Sequence, residues 1–488
     1  MPCSLPRTAL LAALPLLLLT ACATPGDSAS RASPADPATL AAQLSAGDAP
    51  WPQERWWSAF GDAGLDALVA SALRESPSLR IAEARLAKAR ALADSAGSLR
   101  FPDVSSSLQA TRQRYTENGM IPKPYAGSIL TSGELALDFA YDFDFWGRNR
   151  DRLAAAVSQT RAAGAERESA RLLLVAAVVQ SWLRLDRSYR VLDIVEAQRT
   201  QRERQLQLTR RLFDAGLAAA GDVASADAAL AAARQDMQAQ REQITLQRHQ
   251  IAALAGFGPD FAATLPRPQL PDPAAGGAAL PSVLPADLLG RRPDLVAARW
   301  LVEAARGSAA AARAEFYPNV NLIAFAGYSS IGLGNLLKSG SGIAGWGPAI
   351  SLPIFDGGRL RAGLDSANAD LDLAIEQYNQ TLLDAVREVA DQAASLAALA
   401  GQQGEAQHAL AQAAKTRELT QIRFAAGLAS ELTLLADDDA WLARRRALVD
   451  VNERSLETRL GLIKALGGGY DAAPQSRTHE DAPASAAQ

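Results

Sequence analysis

The chain has 488 residues, enough for two or three ordinary domains or one large elongated one. It is 48% hydrophobic but only 6% aromatic, and small side chains at that density suit closely packed helices better than a thick aromatic core. A net charge of −4 argues against nucleic acid as a partner, because neutralising phosphates needs a basic footprint.

Both cysteines, Cys3 and Cys22, lie at the start, so the rest of the chain can hold neither a disulfide framework nor a cysteine-based metal site. Residues 1–21 read as a targeting signal: a short start containing Arg7, then the apolar run "TALLAALPLLLLT", too short for an ordinary membrane span. The run ends in "LTAC", which resembles the lipobox of bacterial lipoproteins, where the Cys22 thiol is acylated and becomes the new N-terminus. The alternative is an ordinary signal peptide that happens to contain a Cys. No cofactor is expected apart from this covalent lipid, whose acyl chains would tether the protein to a membrane at about 0.8 kcal/mol per buried methylene. Residues 22–55 then form the acylated tether, rich in Ala, Ser, Pro and Asp. Beyond the signal, the longest unbroken apolar run is "LLLVAAVV" at 172–179, less than half the ~20 residues a spanning helix needs. If the mature chain crosses a membrane, it does not do so by a helix.

From Trp56 onward the chain reads as two copies of one plan. Pro77 and Pro293 are 216 residues apart, and so are Pro102 and Pro318. Between them Leu79, Ala82, Leu86, Ala89, Ala93 and Ala96 match Leu295, Ala298, Val302, Ala305, Ala309 and Ala312 without a gap. Their 3,4 spacing is a coiled-coil seam of small side chains that lets two helices approach closely. "FDAGLA" at 213–218 matches "FAAGLA" at 424–429, and these corners end very long proline-free tracts, the first being a helix of roughly 65 residues or about 100 Å. Gly216 and Gly427 are natural residues for ending a helix, which resumes near Gly221 and Ser430. The first copy covers 56–256, the second 287–468; 257–286 link them and 469–488 form a disordered tail.

After "FPDV" at 101–104 and "YPNV" at 317–320 the periodicity changes to 2. In "ELALDFAYDFDF" (134–145) one face is Leu135, Leu137, Phe139, Tyr141, Phe143 and Phe145, and the other includes Glu134, Asp138, Asp142 and Asp144. The strand pairs are expected at 103–115 with 133–145, and at 319–329 with 346–355, where Trp346, Ile350, Leu352 and Ile354 share a face and Pro348 and Pro353 weaken the last strand. Such alternation suits a transmembrane β-barrel with acids facing water, or else a sheet packed on a soluble core. Four strands cannot close a barrel, and open edges cannot face lipid, so the membrane reading implies that several chains pool strands; three chains would supply twelve.

At this point the chain resembles the TolC-like outer membrane factors of tripartite efflux pumps, in their NodT/OprM-like lipoprotein branch. The resemblance covers about 56–468 and rests on "WWSAFGDAGLDALV", the doubled F/Y-P-x-V, "RRPDLVAAR", "LPIFDGGRLRA" and "RFAAGLASELTLL". It implies an α+β membrane protein: a homotrimer with a twelve-stranded outer-membrane β-barrel, four strands per chain, continued by a long α-helical periplasmic tunnel, each chain an internal two-fold repeat. It further implies passive conduction of drugs or other small molecules from an inner-membrane pump of the RND type through a periplasmic adaptor (membrane fusion protein). The partners are then these two proteins and outer-membrane lipid, and Ala23 after Cys22 favours sorting to the outer membrane. The family closes its periplasmic tip with acids after the second Gly-Leu corner, here "LTLLADDDAW" at 432–441. One acidic family position falls on Ala436 and a position basic in some relatives falls on Asp439, a departure from the pattern. The resemblance makes Asp437, Asp438 and Asp439 the gate candidates, and Leu432 and Leu435, on the same heptad seam as Asp439, join them as constriction or packing residues. The other reading of three acids near a helix start is a solvated face that favours the helix dipole.

An enzyme is not expected. His249, His408 and His479 lack metal-ligand spacing, and no phosphate-binding loop, nucleophile elbow or dinucleotide fingerprint occurs. Two other channel-side readings stay open: an outer-membrane channel for type I protein secretion on the same fold, and a periplasmic coiled-coil adaptor lipoprotein, which would lack two strand pairs of membrane length.

Overall fold

The computed structural model describes residues 29–36, 50–272 and 288–471. Cys22, the signal, most of the 22–55 tether, the second part of the 257–286 linker (273–286) and nearly all of the tail lie outside these residues. The described chain forms α1 (Ala63–Glu75), α2 (Pro77–Ser98), strands β1 (Asp103–Arg114) and β2 (Ile129–Asp142), α3 (Arg148–Asp214) and α4 (Ala220–Leu254). After the linker come α5 (Pro293–Ala314), β3 (Asn319–Ile331), β4 (Gly342–Ser351), α6 (Arg359–Ala425) and α7 (Glu431–Ala465). The helices flanking each strand pair match in length: α2 and α5 have 22 residues, α3 and α6 have 67, α4 and α7 have 35.

The prolines explain where helices begin. Pro77 and Pro293 open α2 and α5 at the position where a missing N–H costs nothing. Along α2 the alanine seam is the covered stripe: Leu79 and Ala82 are buried, and Leu86, Ala89, Ala93 and Ala96 are half-buried between exposed neighbours. Pro102 and Pro318 then stand immediately before β1 and β3, where the helical run has stopped.

The chain divides into two compact units. Among the described residues the first comprises 29–34, Leu86–Ala163 and Ala298–Tyr378 and contains one antiparallel sheet in the order β1-β2-β3-β4. Register sets its two faces. Val104, Phe139, Ala324 and Trp346 form one cross-strand row, and Leu108, Leu135 and Tyr328 another on the same face. Opposite rows run through Ser105 and Asp138, and through Gln109, Glu134 and Ser329. One face is therefore apolar and the other carries the acids of β2. Much of the apolar face is uncovered among the described residues: Leu108 is 73% and Trp346 83% exposed, while Leu333 and Leu336 lie against Gly133 at one end.

Both second strands of the pairs start four residues earlier than the sequence suggests, at Ile129 and Gly342, and end sooner. Asp144 adopts a left-handed φ of 47° and its carboxylate accepts from the amides of Asn149 and Arg150 (both 2.9 Å), so 143–147 form the turn into α3. Phe143 and Phe145 stack in that turn instead of continuing the strand. After β4, Pro353 offers no N–H, Asp356 accepts from Gly358 and Leu360, and α6 begins; Leu352 and Ile354 therefore lie beyond the strand.

The second unit comprises the described residues of 35–85, 164–297 and 379–471. Its core joins Trp56, Trp57, Leu65 and Val69 to Val178, Trp182 and Leu185 of α3 and to Ile251 of α4. Asp62 is the polar hub: it caps α1 through the amides of Gly64 (2.7 Å) and Leu65 (3.1 Å), and accepts from Trp182 Nε1 (3.1 Å) and the Gln269 amide (2.8 Å). A buried acid with four donors is fully compensated, which explains the Asp at the end of "WWSAFGD".

Candidate functional site

The two Gly-Leu corners have the same backbone. At the first, Gly216 has φ 75°, its amide bonds the Phe213 carbonyl (2.9 Å), and the Leu217 amide reaches the Leu212 carbonyl (2.7 Å). At the second, Gly427 has φ 72°, with Gly427 to Phe424 at 2.9 Å and Leu428 to Arg423 at 2.8 Å. This double bond is the Schellman ending, which needs the left-handed residue glycine supplies. The following helices start differently. Ser430 caps α7 by accepting from the Thr433 amide (3.1 Å), whereas at α4 the Asp222 carboxylate accepts from the Ala219 amide (2.8 Å).

The candidate acids run from the second into the third turn of α7. Leu435 is buried, Leu432 is exposed, and Asp437, Asp438 and Asp439 are half-buried. Leu435, Asp439 and Leu442 follow each other at 4 and 3 residues, so Asp439 stands in the seam between two buried leucines. Arg202 of α3 pairs with Asp439, and the neighbouring Gln201 amide group donates to the Leu435 carbonyl. Arg417 of α6 pairs with Asp438, and its guanidinium lies 5.1 Å from the Trp441 ring centroid, which Arg445 also approaches at 5.7 Å. Asp437 makes no ion pair or hydrogen bond among the described residues.

These three acids are thus not equivalent. Burial pushes the Asp439 carboxyl above its ordinary pKa, against the pull of Arg202 and Gln201, with Asp438 adding repulsion. One of its oxygens, Oδ1, is buried without a partner, as is Gln201 Oε1. The pair therefore ties α7 to α3 at some desolvation cost. The acids, Leu432 and Leu435 are the candidates the sequence names; the partners Arg202, Gln201 and Arg417 are not among them. Nothing local in the sequence names them as partners, because they stand on helices far along the chain from α7 or a turn away across the corner.

The second feature is the sheet. Among the described residues no long helix lies over its apolar face, where only Leu333 and Leu336 of the turn after β3 approach Gly133, and no strand pairs with its outer edges on β1 and β4. Among the described residues no helix is long and apolar enough to cross a membrane. The strands have 12, 14, 13 and 10 residues, lengths sufficient for tilted spans of a bilayer.

Comparison with known proteins agrees with this arrangement. The family model described as outer membrane efflux protein matches residues 68–257 and 284–468. The multidrug resistance outer membrane protein MdtP of Shigella flexneri is 34% identical over 440 residues, covering 87% of this chain and 88% of that protein. The fusaric acid resistance protein FusA of Burkholderia cepacia is 36% identical over 363 residues, covering 72% of this chain and 68% of that one. Among solved structures, the outer membrane protein VceC of Vibrio cholerae superimposes with a TM-score of 0.78 at 38% identity, over 86% of this chain and all of that one. The chain belongs to the outer membrane efflux protein family and acts in the outer membrane as an efflux channel protein.

Proposed function

We propose that the chain is the outer-membrane component of a tripartite efflux system, built as a homotrimer whose twelve strands close one barrel continued by a helical periplasmic tunnel. The observation that carries this reading is the four-stranded sheet with a largely uncovered apolar face and two unpaired edges. Lipid can cover the face but cannot satisfy the edges, so each edge needs another strand, and three copies give a barrel wide enough for a water-filled passage. The equal helix lengths on either side of the strand pairs support two copies of one plan within each chain. Solutes pass from an inner-membrane pump, of the RND type, through a periplasmic adaptor. The names of MdtP and FusA favour small toxic molecules as cargo over exported protein. Cys22 is acylated and adds a lipid anchor to the barrel. At the periplasmic end Leu432, Leu435, Asp437, Asp438 and Asp439 form the gate, with Asp437 as the free carboxylate and Asp438 and Asp439 as the ties that hold it shut.

The test is outer-membrane fractionation followed by native mass measurement. A trimer in the outer-membrane fraction is expected; a monomeric, soluble periplasmic product overturns the reading.

A further inference from the structure

Residues 29–36, ahead of the first helix, are fastened to α6. Asp372 Oδ1 accepts three bonds: from the Ser30 hydroxyl (2.6 Å), the Arg31 amide (2.8 Å) and the Ala32 amide (3.0 Å). Two turns further along, Asn379 Oδ1 accepts from the Ala35 amide at 2.7 Å. The Ser30 hydroxyl, helped by the amides of Ala32 and Arg31, holds the Asp372 carboxyl below the ordinary range, as a carboxylate used as an acceptor should be. Loose surface chain would leave these donors to water. Three of them converging on one oxygen make a fixed point.

The order of contacts gives a direction. Residues 30–32 meet Asp372 and residue 35 meets Asn379, so the segment runs the same way as α6. Towards its own N-terminus it therefore heads for Arg359, the end of α6 that follows β4. Asp372 is thirteen residues from that end, about 20 Å along the helix. Eight peptide steps separate Ser30 from Cys22, and fully extended they span at most about 29 Å. The leash is therefore long enough to regain the end of α6 that follows β4, with about 9 Å to spare.

We propose that Asp372 is the positioning residue for the lipid anchor: it fastens the N-terminal strap to α6, so that an acyl group on Cys22 enters the membrane only within reach of the end of α6 that follows β4. The proposal rests on the reading of Cys22 as acylated.

Hydrogen exchange of the full-length protein in liposomes, with mass analysis of the Cys22 peptide, tests it. The Arg31 and Ala32 amides should be protected in the natural sequence, exchange about tenfold faster or more in Asp372→Ala, and lie in between in Asp372→Asn, which keeps an acceptor oxygen. Deleting residues 24–28 leaves three steps, about 10 Å of reach, so the strap must let go in the acylated protein and stay fastened when the deletion is combined with Cys22→Ser. Strap amides that stay protected after the deletion in an acylated chain overturn the proposal alone, as do amides that exchange freely in the natural sequence. An unacylated Cys22 peptide overturns the lipidation reading and the proposal with it.

Discussion

At Asp439 a carboxylate stands where a coiled-coil seam would ordinarily hold a leucine, flanked by buried Leu435 and Leu442 and answered across the seam by Arg202. Replacing either partner leaves the other half-buried and unpaired, a loss of about 1–3 kcal/mol between α3 and α7. Arg202→Ala and Asp439→Ala should each raise single-channel conductance in planar bilayers, and the double variant should do little more than either alone. Additive effects would mean that the two do not act as a pair. Asp437→Asn should instead lower cation selectivity at nearly unchanged conductance, because this acid ties no helix. The run of three acids was legible in the sequence; their division of labour was not, since Arg202 and Arg417 reach them from other helices.

At the scale of elements, helix ends and strand faces follow from local chemistry. Gly216 and Gly427 end their helices in the left-handed region, and Gly427→Ala should cost about 1 kcal/mol, read as a lower melting temperature of the detergent-solubilised protein. Leu137 lies on the apolar face in the middle of β2, and Leu137→Arg should cost roughly 2–4 kcal/mol of insertion energy and deplete the outer-membrane fraction. Asp138→Asn, one residue on and facing the other way, should insert as well as the natural sequence. The alternation of "ELALDFAYDF" is enough to assign these faces. Its last residues misled the sequence reading because alternation continues into a turn: Phe143 and Phe145 keep the apolar parity while Asp144 already caps the start of α3.

For the molecule as a whole, one cluster links stability to pH. Arg187 of α3 pairs with Asp450 (2.8 Å) and Glu453 (2.7 Å) of α7, and Arg184 pairs with Glu457 (2.9 Å). Burial pushes Glu453 up to about 7, overriding Arg187, with Glu457 and Asp450 adding repulsion. The folded protein therefore holds a proton that the unfolded chain has released between the ordinary glutamate range and about pH 7. Stability from this group falls as pH rises through that window. Glu453→Gln should flatten the melting temperature across it and match or exceed the natural sequence at pH 7.5; an unchanged pH profile would exclude Glu453 as its source.

By itself the sequence determined the plan: matched prolines, alanine seams, glycine corners and alternating strands are periodic or conformational signals that a residue and its near neighbours carry alone. Tertiary structure decided what meets what. Only the folded chain shows that β2 pairs with β3 to join the two hairpins into one sheet, that Asp62 gathers donors from across the second unit, and that Asp372 receives the N-terminal strap. Those contacts join residues far apart in the chain, and no local period encodes which distant residue will complete a hydrogen bond or an ion pair.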